Sequence, residues 1–196
     1  RLDSTLVIFS SDNGPVTAAA LTPWELGMAG ETGGLRGKKR FLFEGGIRVP
    51  GIVRYPPLVK AGTAADTPVT ALDVFPTVSE ILCVAPRAGV PRDGDSLLPL
   101  FAGGRLQRSA PLFWAIVTPV GSEYAVRDGD WKLILDSELQ PQHLFNLAAD
   151  FYEVDDRIHA EPQRVARLRG LARARVAAIA GDPLLKAREA SYHASP

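Results

Sequence analysis

T-L-V-I-F-S-S-D-N-G-P, Thr5 to Pro15, is the stretch from which the rest of the chain is read. Thr5 to Ser10 is a short run of apolar and β-branched residues with the length of a buried strand. Ser11-Asp12-Asn13-Gly14-Pro15 can only turn. The segment is therefore expected to be a buried strand that delivers Asp12 and Asn13 at its carboxyl end. In open α/β sheets ligands gather outside the carboxyl ends of strands, which makes these two polar residues candidate site residues. Turn chemistry, which favours Asp and Asn in any case, is the competing account.

Downstream of Pro15 no period is sustained to about Arg40, and eight of the 18 glycines fall between Gly27 and Gly51. That composition predicts a long shaped loop, ordered by the apolar residues Trp24, Leu35 and Phe41. Gly51 to Tyr55 reads as a second strand closed by Pro56-Pro57. Asp73 to Leu82 (D-V-F-P-T-V-S-E-I-L) has Pro76 in its first turn and Val74, Val78, Ile81 and Leu82 along one side, the pattern of a helix packed on a sheet. A Pro-, Gly- and Asp-rich stretch from Ala85 to Arg108 carries the expected domain boundary. Beyond it, Pro111–Val117, Tyr124–Arg127, Trp131–Leu135 and His143–Leu147 read as strands, with Asp128-Gly129 as a tight hairpin turn. Strands without intervening helices imply an antiparallel sheet. Pro162 to Ala180 then repeats apolar residues at Val165, Leu168, Ala172, Val176 and Ile179, an amphipathic helix whose five arginines read as a solvated face. The expected architecture is an α/β unit over residues 1–104 and a small α+β unit over 105–196, ending in a frayed tail after Gly181.

Composition narrows the function classes. Twenty-two basic and 22 acidic residues cancel, so no global field draws in nucleic acid or an anionic membrane, and 46% hydrophobic content excludes a disordered chain. No apolar run approaches the roughly 20 residues needed to span a bilayer. The single cysteine, Cys83, excludes an internal disulfide and a thiolate zinc site. Arg1-Leu2-Asp3-Ser4 leads straight into a strand, an opening expected of a cut inside a domain and unlike a secretory leader.

Three features carry candidate chemistry. Asp12 and Asn13 offer hard oxygens suited to Ca²⁺ or Mg²⁺, although Ca²⁺ takes 6–8 oxygens and two residues cannot complete a shell. Arg36, Lys38, Lys39 and Arg40 form a cationic cluster without an acid, able to hold a sulfate or phosphate, with a solvated basic loop as the plain alternative. Glycine pairs flank that cluster. A P-loop is excluded, because three residues separate Gly33 from Gly37 and Lys39 follows Lys38 where Ser or Thr is required. There is no Gly-x-Ser-x-Gly elbow, and His143, His159 and His193 have no evident nucleophile beside them and read as surface or packing residues.

The order of the motifs is more specific than any one of them. F-S-S-D-N-G-P (Phe9–Pro15), G-G-L-R-G-K-K-R-F-L-F-E-G-G-I-R-V-P (Gly33–Pro50), D-V-F-P-T (Asp73–Thr77) and D-G-D-S-L-L-P-L (Asp93–Leu100) together resemble the carboxy-terminal half of the sulfatase family. The resemblance continues through A-V-R-D-G-D-W-K-L-I (Ala125–Ile134) and H-L-F-N-L, and so spans most of the chain to about Asp150. It implies an alkaline-phosphatase-like α/β fold and hydrolysis of sulfate esters, of sulfated sugars or aryl alcohols. By the same resemblance Asp12 and Asn13 match a divalent-metal pair, usually for Ca²⁺, and Lys39 matches the lysine five residues before Glu-Gly-Gly that contacts the sulfate. Glu44, Gly45 and Gly46 match as turn and packing residues, and Lys38 is expected to face solvent without a role. The family's compartments are periplasmic, secreted or lysosomal.

The nucleophile of that family, a Cys or Ser converted to formylglycine in C/S-x-P-x-R, is not in this sequence, nor are two further metal aspartates. Cys83 in C-V-A-P-R has its proline one place late and reads as a packed thiol. The 196 residues alone are therefore expected to be inactive. Two other readings stand beside a portion of a sulfatase: a related phosphoric or phosphonic ester hydrolase, since the same geometry serves tetrahedral anions, and a truncated non-catalytic protein that binds sulfated glycans. Trp114 and Tyr124 are read as core residues in preference to substrate contacts. The sequence does not carry an oligomeric state.

Overall fold

The structure is a computed structural model that describes residues 2–16, 30–85, 92–118 and 121–181. Trp24, His193, the tail after Gly181 and residues 86–91 behind Cys83 lie outside the described residues. In chain order the elements are β1 (Val7–Ser10), α1 (Glu44–Ile47), β2 (Gly51–Arg54), α2 (Val74–Ile81), α3 (Leu98–Phe101), β3 (Leu112–Thr118), β4 (Gly121–Asp128), β5 (Trp131–Leu135), β6 (Pro141–Asn146) and α4 (Pro162–Gly181). They fall into two compact units, one of Arg1–Asp12 with Val49–Ala110 and one of Asn13–Arg48 with Pro111–Pro196.

In the first unit β1 pairs antiparallel with β2, Val7 opposite Arg54 and Ser10 opposite Gly51. The strand expected after Thr5 is present, but it is not buried: all four of its residues are exposed, with Phe9 at 59% and Ile52 across from it at 61%. The sheet has two strands, and among the described residues no layer covers it. α2 starts with Pro76 in its first turns, as its sequence predicts, but the buried residues are Pro76 and Thr77, while Leu82 is 64% exposed. It packs on the preceding 3₁₀ turn (Ala71–Asp73) and on α3. Cys83, expected to be a packed thiol, is exposed, because α2 ends at Ile81 and Cys83 takes a left-handed φ of 54° in the turn beyond it.

What organises this unit is the buried carboxylate of Asp73. It accepts hydrogen bonds from the Thr70 N–H at 2.8 Å and the Asp95 N–H at 2.9 Å, and a two-pronged contact from the Arg108 guanidinium at 3.0 and 2.6 Å. Burial alone would raise its pKa, but Arg108 and the two N–H groups outweigh burial and hold it below the ordinary carboxylate value. One turn on, the Thr77 hydroxyl donates to Asp73 O at 2.6 Å and accepts the Leu97 N–H at 2.8 Å. Asp73 and Thr77 of D-V-F-P-T thus bind Asp95 and Leu97 of D-G-D-S-L-L-P-L. A Cβ at Gly94 would sit 2.2 Å from Leu72 O, which accounts for the glycine that precedes Asp95.

In the second unit β3-β4-β5-β6 form an antiparallel sheet in sequence order. Period-2 alternation sends Val126, Leu133, Leu135 and Leu144 to one face, where Leu168 and Ala172 of α4 close over them. Ala125, Ile134 and Phe145 point to the other face, against Leu42 and Leu147. The sheet is therefore covered by a helix on one side and by the loop before α1 on the other. Phe113 stacks on Tyr124 at 5.9 Å, and Trp114 packs against the second cluster, so Trp114 and Tyr124 are packing residues as expected. The arginine face of α4 is not merely solvated. Arg164 lies 4.1 Å over the Trp131 ring, Arg167 pairs with Asp128, and Arg169 donates to Leu139 O at 2.7 Å, so three of the five strap the helix to the sheet. Among the described residues no helix is long and apolar enough to cross a membrane.

The β4–β5 turn lies one residue later than the sequence predicts. Asp128 still pairs with Trp131, so the two loop residues are Gly129 and Asp130, and Gly129 takes φ 59°. No atom lies within 4 Å of a Cβ placed there, so a side chain would meet backbone strain alone. Gly129→Val is expected to destabilise the unit by about 1–3 kcal/mol, because a β-branched residue is strained at positive φ. Gly129→Asn should cost much less, since Asn tolerates this region. Thermal unfolding of both variants is the check, and a Val variant that melts with the parent would contradict the turn.

Candidate functional site

The loop before α1 is fixed by one apolar anchor and by close backbone contacts. Leu42 is 1% exposed in the sheet's second cluster, whereas Phe41, the residue expected to order the loop, is exposed. Gly45 N–H donates to Arg36 O at 2.7 Å, and Gly14 N–H donates to Gly46 O at 2.8 Å. These approaches leave no room for side chains: a Cβ on Gly46 would lie 2.0 Å from Phe41 O, and one on Gly45 2.5 Å from Gly37 O. Gly45 and Gly46 are therefore packing residues, as read from the sequence.

Glu44 is more than that. Its side chain is buried and lies 2.7 Å from Nζ of Lys132, a fully buried residue of β5. Lys132 Nζ also donates to Leu42 O at 3.1 Å and lies 2.6 Å from Oε1 of buried Glu153. That last oxygen takes no hydrogen bond of acceptable angle, but at 2.6 Å the contact is an ion pair. The other oxygen of Glu153 accepts the Glu44 N–H at 2.7 Å. Arg48 adds a contact of 3.1 Å to Glu44. Burial opposes ionisation of both carboxyls. At Glu44 the Lys132 ammonium and Arg48 outweigh burial and hold the pKa below the ordinary value. At Glu153 burial prevails over the attraction of Lys132, and the neighbouring Glu44 charge adds to it, so the pKa is raised.

Arg36 closes the arrangement, lying 4.0 Å over the Phe43 ring and donating to Glu153 O at 2.9 Å. Glu153 itself has φ 60°, an uncommon conformation for a residue with a side chain. His143 pairs with Asp156 at 2.7 Å and stacks on Phe145, a packing role as expected.

The site residues read from the sequence are placed as follows. Asp12 is exposed and closes the first segment of one unit, and Asn13 is half-buried and opens the other. The Asn13 carboxamide donates to Gly14 O at 3.0 Å. Lys39 is exposed, and its N–H donates to Pro15 O at 3.0 Å, which with the Gly14–Gly46 bond joins the loop of Lys39 to the segment of Asn13. Lys38, expected to face solvent, is half-buried, because its carbonyl closes the turn to Phe41 N–H at 3.0 Å and lies against Gly46. Among the described residues no three His, Cys, Asp or Glu converge as a metal group. The donor set of Asp12 and Asn13, a carboxylate and an amide carbonyl, suits a hard divalent cation and supplies a minority of its shell.

Sequence reasoning missed Lys132 and Glu153. A signal for the first was present: in W-K-L-I-L, Lys132 alternates in phase with Ile134, and Leu133 and Leu135 occupy the other face, so neither face is free for a solvated cation. Glu153 follows no period, and only the fold brings it to Lys132.

The chain matches a family model described as "N-sulphoglucosamine sulphohydrolase, C-terminal" over residues 30–173. It is 38% identical over 113 residues to the steryl-sulfatase of Homo sapiens, covering 55% of this chain and 18% of that protein. It is 34% identical over 156 residues to the choline-sulfatase of Rhizobium meliloti (strain 1021), covering 78% of this chain and 27% of that protein. The chain thus spans about a fifth to a quarter of the length of these relatives, 18% and 27%. Among solved structures it is similar to that of Ps i-CgsB, with a TM-score of 0.72 and 27% identity over 85% of this chain and 35% of that one.

The buried pairings have a direct energetic consequence. Lys132→Met would leave two carboxylates facing each other without their shared cation, and breaking a buried pair from one side costs about 3–5 kcal/mol. Urea unfolding followed by the fluorescence of Trp114 and Trp131 should show that loss, and a change within about 0.5 kcal/mol, as at an ordinary surface site, would contradict the assignment.

Proposed function

This chain belongs to the sulfatase family and has the α/β fold of its alkaline-phosphatase-like members, and from that premise we propose that the whole protein hydrolyses sulfate esters, with Lys39 on the substrate and Asp12 and Asn13 on a divalent metal. The observation that carries this reading is the pair of backbone bonds, Lys39 N–H to Pro15 O and Gly14 N–H to Gly46 O, that holds the Lys39 loop beside the segment of Asn13. The loop of the exposed Lys39 is thereby held beside the segment that opens at Asn13, although the two residues stand 26 positions apart in sequence (39 − 13).

The chemistry follows from the substrate. A sulfate monoester is a singly charged anion, and cleavage of its S–O bond moves negative charge onto the departing alcohol oxygen. Lys39 meets that charge as a point cation, a stabilisation greater in the transition state than in the bound substrate. The Asp12 carboxylate and the Asn13 carbonyl would hold the metal, Ca²⁺ on the family reading, which would supply Lewis-acid polarisation of the sulfate. A formylglycine encoded upstream supplies the nucleophile. Sulfated sugars and aryl sulfates both fit a site defined only on its sulfate side.

The test uses the full-length enzyme and an aryl sulfate at fixed ionic strength. Lys39→Ala should lower kcat/KM by about 10²–10³ while fold and metal content stay as they were. Lys38→Ala, which removes a half-buried side chain with no part in the reaction, should lose much less. Equal losses for the two variants would mean a diffuse basic patch, and a larger loss for Lys38 would overturn the assignment of Lys39.

A further inference from the structure

We propose that the buried cluster of Lys132, Glu44 and Glu153 is a positioning device for Lys39, a role that rests on the reading of Lys39 as the sulfate-facing cation. Lys39 stands in a loop whose two roots converge on Glu153. On one side the Arg36 guanidinium donates to Glu153 O at 2.9 Å. On the other, Glu153 Oε2 accepts the Glu44 N–H at 2.7 Å. Lys132 ties the second root again, through Leu42 O at 3.1 Å and Glu44 Oε1 at 2.7 Å, and reaches Glu153 Oε1 at 2.6 Å. The roots are also tied to each other by Gly45 N–H to Arg36 O at 2.7 Å. The segment from Arg36 to Glu44 is thus held at both ends by contacts to one residue, at its backbone carbonyl on the Arg36 side and at its carboxylate on the Glu44 side.

Cohesion alone does not explain such a cluster. Well-packed apolar side chains of similar volume hold two layers together as well as a buried ion pair, and often better. An apolar contact, however, tolerates sliding by fractions of an ångström, whereas an ammonium between two carboxylates has few arrangements that satisfy every partner. The cluster lies on the sheet face that receives the loop, and among the described residues the exposed Lys39 side chain has no comparable anchor, so the roots set where its ammonium stands. Misplacement by about 1 Å from a change remote from the chemistry is sufficient to cost about 10²-fold in rate.

Glu153→Gln is the decisive variant. Lys132 and the Glu44 N–H meet different oxygens of Glu153, and in a glutamine one of those two atoms becomes an NH2 group that cannot accept; the substitution also removes a buried negative charge, so the fold is retained while the roots loosen. In the full-length enzyme kcat for an aryl sulfate should fall about 10–100-fold with little change in KM, and the same substitution in a Lys39→Ala background should cause no further loss. Lys132→Met should behave in the same way where it folds, and where it does not, Glu153→Gln decides alone. In the 196-residue chain, hydrogen exchange should show lost protection at the Lys39 and Gly45 amides with the β4–β5 amides unchanged. Native kcat in folded Glu153→Gln, an equal loss in both backgrounds, or unchanged amide protection would overturn the positioning role. If Lys39→Ala itself keeps kcat, the reading of Lys39 fails instead, and amide protection still decides whether the cluster fixes the loop.

Discussion

Lys132 carries its charge at a position where strand alternation directs the side chain into the interior, between the sheet and the loop that covers it. An ammonium removed from water costs several kcal/mol unless charged and hydrogen-bonding partners replace the solvent. That constraint shapes the second unit. It requires Glu44 at the start of α1, Glu153 in a left-handed conformation on the segment after β6, and the carbonyl of Leu42 beside the residue that anchors the loop. Two carboxylates share one ammonium, so they do not ionise alike: Arg48 supports the charge on Glu44, and burial falls on Glu153.

The first unit meets the same problem with a different residue pair. Asp73 is fully buried and ionised against Arg108, and its remaining acceptor capacity is used by backbone N–H groups of Thr70 and Asp95. In both units a buried acid gathers backbone from segments far apart in sequence, 35 positions from Asp73 to Arg108 and 109 from Glu44 to Glu153. The motifs whose order carries the family resemblance divide accordingly. D-V-F-P-T and D-G-D-S-L-L-P-L are mainly such structural joints, whereas Asp12 and Lys39 are exposed and Asn13 is half-buried.

Local pattern made much of the fold legible. β5 falls at Trp131–Leu135 and α4 begins at Pro162, both as read, because alternation and a helical repeat are each sustained there. The hairpin turn was displaced by one residue because Asp128 keeps its pairing with Trp131, which a dipeptide signal cannot foresee. Burial was less legible than secondary structure. T-L-V-I-F-S is apolar throughout, yet its strand is exposed here, since burial depends on a covering layer and not on the strand's own residues. Likewise Leu42 and not Phe41 anchors the loop: in an aperiodic segment either apolar residue could turn inward, and the choice was made by the distant cluster of Ile134 and Phe145. Asp12, Asn13 and Lys39 came from motif order, and the link between the loop of Lys39 and the segment of Asn13 through Pro15 and Gly46 became visible only with the backbone bonds. Glu153 had no local signature at all.

Glu44 and Glu153 share Lys132 and differ in ionisation because Arg48 also supports the charge on Glu44 while burial prevails at Glu153. Carbon-detected NMR titration of the glutamate side chains in the 196-residue chain measures this directly. Two carboxyls should titrate apart from the rest, one below and one above the ordinary glutamate value of 4.5, with the upper step removed and the lower one retained in Glu153→Gln. On the acid side the lowered step marks stability lost as pH falls through it, and the raised step marks stability lost as pH rises through it. Titration of both groups together at the ordinary value, or survival of the upper step in Glu153→Gln, would contradict the shared, buried lysine.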